Sequence, residues 1–303
     1  MTRLPQIKWL ADGRRLHLQD GPIDLIVEAV GSTADRRAAY EAAARRFAGL
    51  LDELCRELPL LRQAADPETC LLQGVVARRM HAAVAPFAGA HFITPMAAVA
   101  GSVAEEILGA MTGAARLERA YVNNGGDIAL YLAKSERFSV GLMDRPDASG
   151  SMRTIAIDAD EPSRGIATSG RHGRSFSLGI ADAVTVLAPT ASQADAAATI
   201  IANSVDLPGH PAIVRCPAQE LQPDSDLGAR LVTRGVGELS GHEIAAALES
   251  GAACARRLLA MGLIDSAILR LHGETVVVAA KAIEQSGLRV PAAANATESM
   301  MHA

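Results

Sequence analysis

The sequence predicts an α+β fold of two related halves, each laying helices over an antiparallel sheet. Two observations carry this. The run Ala120–Ala133 (AYVNNGGDIALYLA) aligns without a gap on Ala267–Ala280 (AILRLHGETVVVAA), placing Gly126 on Gly273 and Asp127 on Glu274. Each copy also follows a helical stretch, an interrupting glycine (Gly113, Gly262) and a short link. A repeated supersecondary unit is the signature of a duplicated architecture. A coincidental likeness stays open, because hairpin turns favour glycine beside an acid. The halves are drawn at 1–145 and 146–290, joined through an exposed Arg145–Gly150 loop, with 291–303 as a flexible tail.

The elements follow in chain order. Gln6–Leu10 and Arg15–Leu18 flank the turn Ala11-Asp12-Gly13, and Ile23–Val30 follows Gly21-Pro22, giving three strands. From Ala34 to about Leu58, Tyr40, Ala44, Phe47, Leu51 and Leu54 recur at helical spacing. Thr94-Pro95 starts a helix running through Ile107 and Met111 to Thr112-Gly113. Ala120–Asn123 and Ile128–Leu132 form a hairpin around Gly125-Gly126, and Phe138–Leu142, Ile155–Ile157, Ile166–Ala167 and Ala183–Leu187 read as strands. A helix spans Ala191–Val205, Pro208–Ser225 reads as irregular, and helix Gly241–Met261 leads into strands Ala267–Leu271 and Thr275–Ala279.

Composition narrows the function. At 303 residues, 49% hydrophobic and 21% charged, the chain can bury a sizeable core and is not disordered. A net charge of -5 and 3% aromatics argue against nucleic acid as partner, since neither phosphate neutralisation nor base stacking is provided for. Cys55, Cys70, Cys216 and Cys254 show no CxxC spacing, and scattered thiols suit a reducing compartment. The N-terminal residues hold no long apolar run, and apolar stretches end before the about 18 residues a membrane span needs. The expectation is a cytoplasmic protein with no membrane partner, possible as a homo-oligomer.

Three segments carry chemistry. Tyr121–Asp127 puts two glycines between strands, where they permit positive φ and open backbone N–H groups to a ligand; a plain type I′ turn is the alternative. Gly165–Arg174 gathers Thr168, Ser169, Gly170, Arg171, His172 and Arg174, the hydroxyls and guanidinium forks that suit a phosphate, though such residues are also ordinary in loops. In Ala188–Thr199, Thr190 and Gln193 form a capping box, and Asp195 and Thr199 fall on one face of the helix. Their oxygens fit part of a hard-cation site such as Mg2+; an acid stabilised by the helix N-terminus is the alternative.

In this order the segments resemble the ApbE-like superfamily of FAD:protein FMN transferases. The shared features are Ala98-Val-Ala-Gly101 with Glu105, the Asn123–Asp127 hairpin, Ala167-Thr-Ser-Gly170, Val184-Thr-Val186, and Ala194 to Thr199, over roughly 90–205. The resemblance implies a duplicated T-fold, Mg2+ held by Asp195 and Thr199, and FAD or FMN bound along Asn123, Gly125, Gly126, Asp127, Thr168, Ser169 and Gly170. The leading expectation is Mg2+-dependent cleavage or transfer at the FAD pyrophosphate, with Arg171 and Arg174 clamping the anion and His172 as general acid or base in place of the histidine the family carries; a surface loop residue is the alternative for His172.

Two features depart from the transferases. The His-Ile-Ile-Asp-Pro-x-Thr-Gly loop is replaced by the shorter 171–183 segment, and Ala100-Gly-Ser102 stands where the family's Ala-Lys-Gly-Tyr lies. In both respects the chain is similar to the cytosolic ApbE-like branch. A flavin-binding protein without chemistry, and an enzyme on another small substrate, therefore stay open.

Overall fold

The computed structural model describes residues 5–142, 153–279 and 301–302. The chain opens with strands β1 (Gln6–Trp9), β2 (Leu16–Asp20) and β3 (Ile23–Val30). Helices α1 (Thr33–Phe47), α2 (Leu50–Arg56), α3 (Leu58–Leu61), α4 (Val75–Ala88) and α5 (Val99–Ala114) follow, then the hairpin β4 (Arg119–Asn124) and β5 (Asp127–Leu132). Strands β6 (Arg137–Leu142) and β7 (Arg153–Asp158) pair with each other. The rest runs β8 (Gly165–Ser169), β9 (Ala183–Ala188), α6 (Ala191–Ser204), β10 (Ile213–Pro217), α7 (Ala218–Leu221), β11 (Leu231–Val236), α8 (Gly241–Ala260), β12 (Ser266–Leu271) and β13 (Glu274–Ala279). A last short strand, β14 (Met301–His302), pairs parallel with β6. The expected Arg145–Gly150 loop, and most of the expected tail, lie outside the described residues.

One nine-stranded sheet, ordered β1-β2-β3-β4-β5-β8-β9-β12-β13, organises the chain. Its connectivity repeats. β2-β3-α1…α5-β4-β5 and β8-β9-α6…α8-β12-β13 are the same hairpin–helices–hairpin pass, laid side by side as duplicated T-fold-like halves are expected to be. The aligned hairpins are equivalent in detail. Asn124 pairs with Asp127 across Gly125-Gly126, and Leu271 with Glu274 across His272-Gly273. All four turn residues have positive φ (66° and 114°; 49° and 86°), the backbone of a two-residue primed turn.

The hairpins differ in their surroundings. β5 continues into β8 of the second pass through Ile128↔Ile166 and Ala129↔Gly165, whereas β13 ends the sheet. The first hairpin's turn is therefore closed in by the second half, and Asp127 is partly buried where Glu274 is exposed.

Alternation drives the packing. Leu25, Val27 and Ala29 of β3 face the helices and are buried, joining a core that takes in Phe47, Met80, Ile107, Met111, Ile201 and Leu258. The opposite sheet face buries Tyr121, Ile128, Leu130 and Ile166 against Phe138, Val140, Ile155 and Ile157 of the β6–β7 pair. Among the described residues no helix is long and apolar enough to cross a membrane.

Four expectations are corrected. The helix expected over 34–58 breaks at Ala48-Gly49, because Gly49 takes φ 83° and ends α1 before α2 restarts. The helix expected from Thr94 opens as a 3-10 turn over Pro95–Ala98, and α5 begins at Val99. Pro208–Ser225 is not irregular: it holds β10 and α7, and a register shift between Val214 and Arg215 hides the strand's alternation. Helix α4 was not expected, although Val76, Met80, Ala83, Val84 and Phe87 fall on one buried helical face.

Candidate functional site

The site forms where the β4–β5 turn, the end of β8 and the first turns of α5 and α6 meet. Gly101 sets how closely the helices approach. A Cβ placed there would lie 2.3 Å from the Ala191 carbonyl oxygen and 2.7 Å from the Ser192 nitrogen. At this contact the helices cap one another. Ala98, before α5, offers no side-chain cap. Asp195 of α6 supplies it, accepting from the Gly101 N–H at 3.0 Å and from the Ala100 N–H. In return Glu105 of α5 accepts from the Ser192 N–H at 2.6 Å, while Thr190 accepts from the Gln193 N–H. The expected capping box is only half formed: the Gln193 Oε1 is buried and meets no donor among the described residues, so it does not reach back to the Thr190 N–H.

Glu105 is itself held in place. Arg79 of α4 approaches it at 3.3 Å and bonds Glu106 at 2.9 Å, and Arg46 of α1 joins Glu106 to Glu53. Four helices thus fix the orientation of the α6 N-terminus.

The hairpin turn supplies the facing wall. The Asn123 Oδ1 accepts from the Gly126 N–H at 2.8 Å, and the Asn124 side-chain amide donates to the Ala100 carbonyl at 3.2 Å. Asp127 accepts from the Thr168 N–H at 3.2 Å, tying the hairpin to β8. The Arg174 guanidinium fills the space that a side chain at Gly125 would need, whereas the space over Gly126 is open.

Of the residues expected to share one cleft, Gly125, Gly126, Asp127, Thr168, Arg174 and Asp195 are drawn together. Thr199 lies one helical turn beyond Asp195 and is partly exposed. Ser169 ends β8, and Gly170 packs against the Asp182 carbonyl, where a Cβ would come within 2.5 Å.

Arg171 and His172 point elsewhere. Arg171 grips Asp182 through Nε at 2.9 Å and Nη2 at 2.5 Å, and His172 lies 3.3 Å from the same carboxylate. The other oxygen of Asp182 accepts from the His272 N–H at 2.6 Å, so this cluster clasps the second hairpin.

Beyond this geometry, the family model described as AbpE bacteria matches residues 7–277. The chain belongs to this ApbE-like family. It is similar to UPF0280 proteins of methanogens: 35% identical over 178 residues to that of Methanosphaerula palustris, covering 57% of this chain and 71% of that one. To the relative from Methanopyrus kandleri it is 38% identical over 128 residues, 42% of this chain and 48% of that one, so the match spans about half of that relative. Among solved structures it is similar to the apo flavinyl transferase ApbE of Pseudomonas stutzeri, at a TM-score of 0.49 and 12% identity over 94% of this chain and 97% of that one. A single-residue mutant of the flavin transferase ApbE of Vibrio cholerae gives 0.47 and 14% over 90% and 99%.

In this ApbE-like chain two carboxylates oppose each other. Burial is the main cause that raises Asp127 to about 7, partly offset by the Thr168 N–H and the Arg174 charge. Asp195 is pushed well above the usual carboxylate range by burial first and then by the charges of Asp127 and Glu105, with the Gly101 and Ala100 amides pulling it down. Burial of both carboxylates and their mutual repulsion thus favour protonation of the pair.

The consequence for stability has a definite sign. The folded state keeps a proton that the unfolded Asp127 releases above about pH 4, so this contribution is full below that pH and is lost as pH rises through about 7. The loss is at most about 1.4 kcal/mol per pH unit in that window. Asp127→Asn keeps the oxygen facing Thr168 and removes the titration. Urea unfolding at pH 5 and pH 8 should therefore show the variant gaining on the parent at pH 8; an equal pH slope in both proteins refutes the upward shift of Asp127 by burial.

Proposed function

We propose that this cleft binds a flavin nucleotide, FAD or FMN, by its phosphates together with a divalent cation such as Mg2+. Cleavage or transfer at the FAD pyrophosphate is the reaction it best serves. The carrying observation is the convergence of the Asp127–Asp195 pair, the open glycine turn and Arg174. The family resemblance of the Asn123–Asp127, Thr168–Gly170 and Asp195–Thr199 segments supports the same ligand.

The donor set suits a hard cation. Asp127 and Asp195 repel one another, and a positive charge between them relieves both. Among the described residues no three or more His, Cys, Asp or Glu side chains are grouped to hold a metal. By the family resemblance Asp195 and Thr199 would hold it, with water and phosphate oxygens completing the shell. When bound, the cation neutralises charge on the phosphate oxygens. Arg174, exposed beside Gly125, adds a fork of donors for the same anion, and Gly126 lets a phosphate approach the backbone. Four scattered thiols and the composition accord with a cytoplasmic setting and a small-molecule partner.

A second reading, binding without turnover, is favoured by one observation: Arg171 and His172 are both engaged by Asp182. Incubation with FAD and Mg2+ separates the two. The enzymatic reading expects FMN release, or a mass increase of the chain by one FMN, in intact-mass spectra. The binding reading expects neither, with FAD still retained. Arg174→Ala should weaken FAD binding about tenfold or more, as expected for losing a charge-assisted anion contact, at unchanged melting temperature. Unaltered affinity in that variant, measured by titration calorimetry, would overturn the placement of the phosphates.

A further inference from the structure

A second polar cavity lies at the opposite end of the sheet from the hairpin cleft. Its volume is about 240 Å³, and it is lined by Arg14, Glu28, Arg36 and Arg119 together with residues 29–31 at the end of β3. Arg119 opens β4 and Asn124 closes it, so at about 3.4 Å per residue the two sites stand roughly 17 Å apart along one strand.

Three guanidinium groups against one carboxylate leave the lining electropositive. Glu28 is also occupied, hydrogen bonded to the Tyr121 hydroxyl. Arg119 spends its Nη1 on the Arg137 carbonyl at 3.2 Å and lies 3.7 Å from the Glu136 carboxylate, with its guanidinium over the Phe138 ring, so Arg14 and Arg36 carry most of the excess positive charge. The Nε atoms of Arg36 and Arg119 are nevertheless buried and meet no acceptor among the described residues. A buried N–H of a permanent cation without an acceptor is costly, and packing like charges around one cavity adds repulsion. An anion removes both penalties, because its oxygens accept from several forks at once.

The geometry points to a binding site for a small multivalent oxyanion, a phosphate group or a dicarboxylate, in this cavity. It is independent of the flavin reading: none of its residues lines the hairpin cleft. The volume is below that of drug-sized ligand pockets, which selects a small acid or the phosphate end of a larger molecule.

Calorimetric titration of the full chain at low salt, with inorganic phosphate and with succinate in separate runs, tests it. One saturable site is expected for at least one of them, present equally in Arg174→Ala, and the tighter ligand identifies which acid the cavity takes. Arg36→Gln should weaken it about tenfold or more. Arg14→Gln alters an exposed side chain, which should leave folding intact, and should weaken it by a smaller factor, covering the case in which Arg36→Gln fails to fold. The absence of saturable binding by either anion, or binding lost in Arg174→Ala but unchanged in Arg36→Gln and Arg14→Gln, overturns the proposal.

Discussion

Asp195→Ala should abolish Mg2+-dependent FAD binding, a loss of about a hundredfold or more. Groups that merely orient a metal ligand are worth about 10–100-fold, and the carboxylate itself supplies most of the local negative charge. The difficulty is that Asp195 also caps α5, accepting from Gly101 and Ala100. Alanine leaves those amides without their acceptor, at about 1–3 kcal/mol, while the repulsion from Asp127 disappears and offsets part of it. Asp195→Asn separates the roles: its amide oxygen still accepts from the helix, but its charge is gone. Calorimetry with and without Mg2+, beside thermal melts, should show both variants losing the cation-dependent binding and only the alanine variant losing stability. Thr199→Ala should weaken binding less, since a neutral hydroxyl is a poorer ligand for a hard cation. FAD binding in Asp195→Ala that equals the parent's, with and without Mg2+, ends the metal role.

The parts of this arrangement that were legible in the sequence are those whose physics is local. Gly125-Gly126 between apolar strands announces a primed turn, and Thr190 three residues before Gln193 announces a helix start; both are found there. The repeat of 120–133 at 267–280 foretold the symmetry of the sheet, because turn chemistry and strand alternation are written into each copy. What stayed hidden acts between elements distant in sequence. Asp182 takes up Arg171, His172 and the turn of the second hairpin, three partners that only the fold brings near it. Arg79 matters because α4 brings it to Glu105, and no spacing within α4 says so. The break at Gly49 was hidden for the opposite reason: apolar residues on both sides keep helical period, so the pattern continues although the backbone does not. Asp127 shows the limit most clearly. Its aligned partner Glu274 has similar chemistry, yet only Asp127 gains a neighbouring half against which to be buried.

Gly101→Ala should destabilise the chain by several kcal/mol and reduce flavin binding with it. The same substitution at Gly109, eight residues along the same helix, should stabilise by about 0.5–1 kcal/mol. The two glycines share a helix and differ in what a methyl group meets. Nothing lies within 4 Å of a Cβ at Gly109, whereas at Gly101 the Ala191 carbonyl oxygen stands 2.3 Å away and the Ser192 nitrogen 2.7 Å. These are backbone atoms and cannot rotate aside, so α5 and α6 must move apart. Overpacking of this kind costs about 1–3 kcal/mol. Separation also stretches the 3.0 Å bond from Gly101 to Asp195 and the 2.6 Å bond from Ser192 to Glu105, each worth about 1–3 kcal/mol when a buried partner is left unsatisfied. At about 2–4 °C per kcal/mol for large domains, a fall in melting temperature on the order of 10 °C is expected. Asp195 moves with its helix, so the cation-dependent part of FAD binding should fall even at temperatures where the variant stays folded. A Gly101→Ala chain as stable as Gly109→Ala would mean that the helices do not meet there and that the mutual capping is absent.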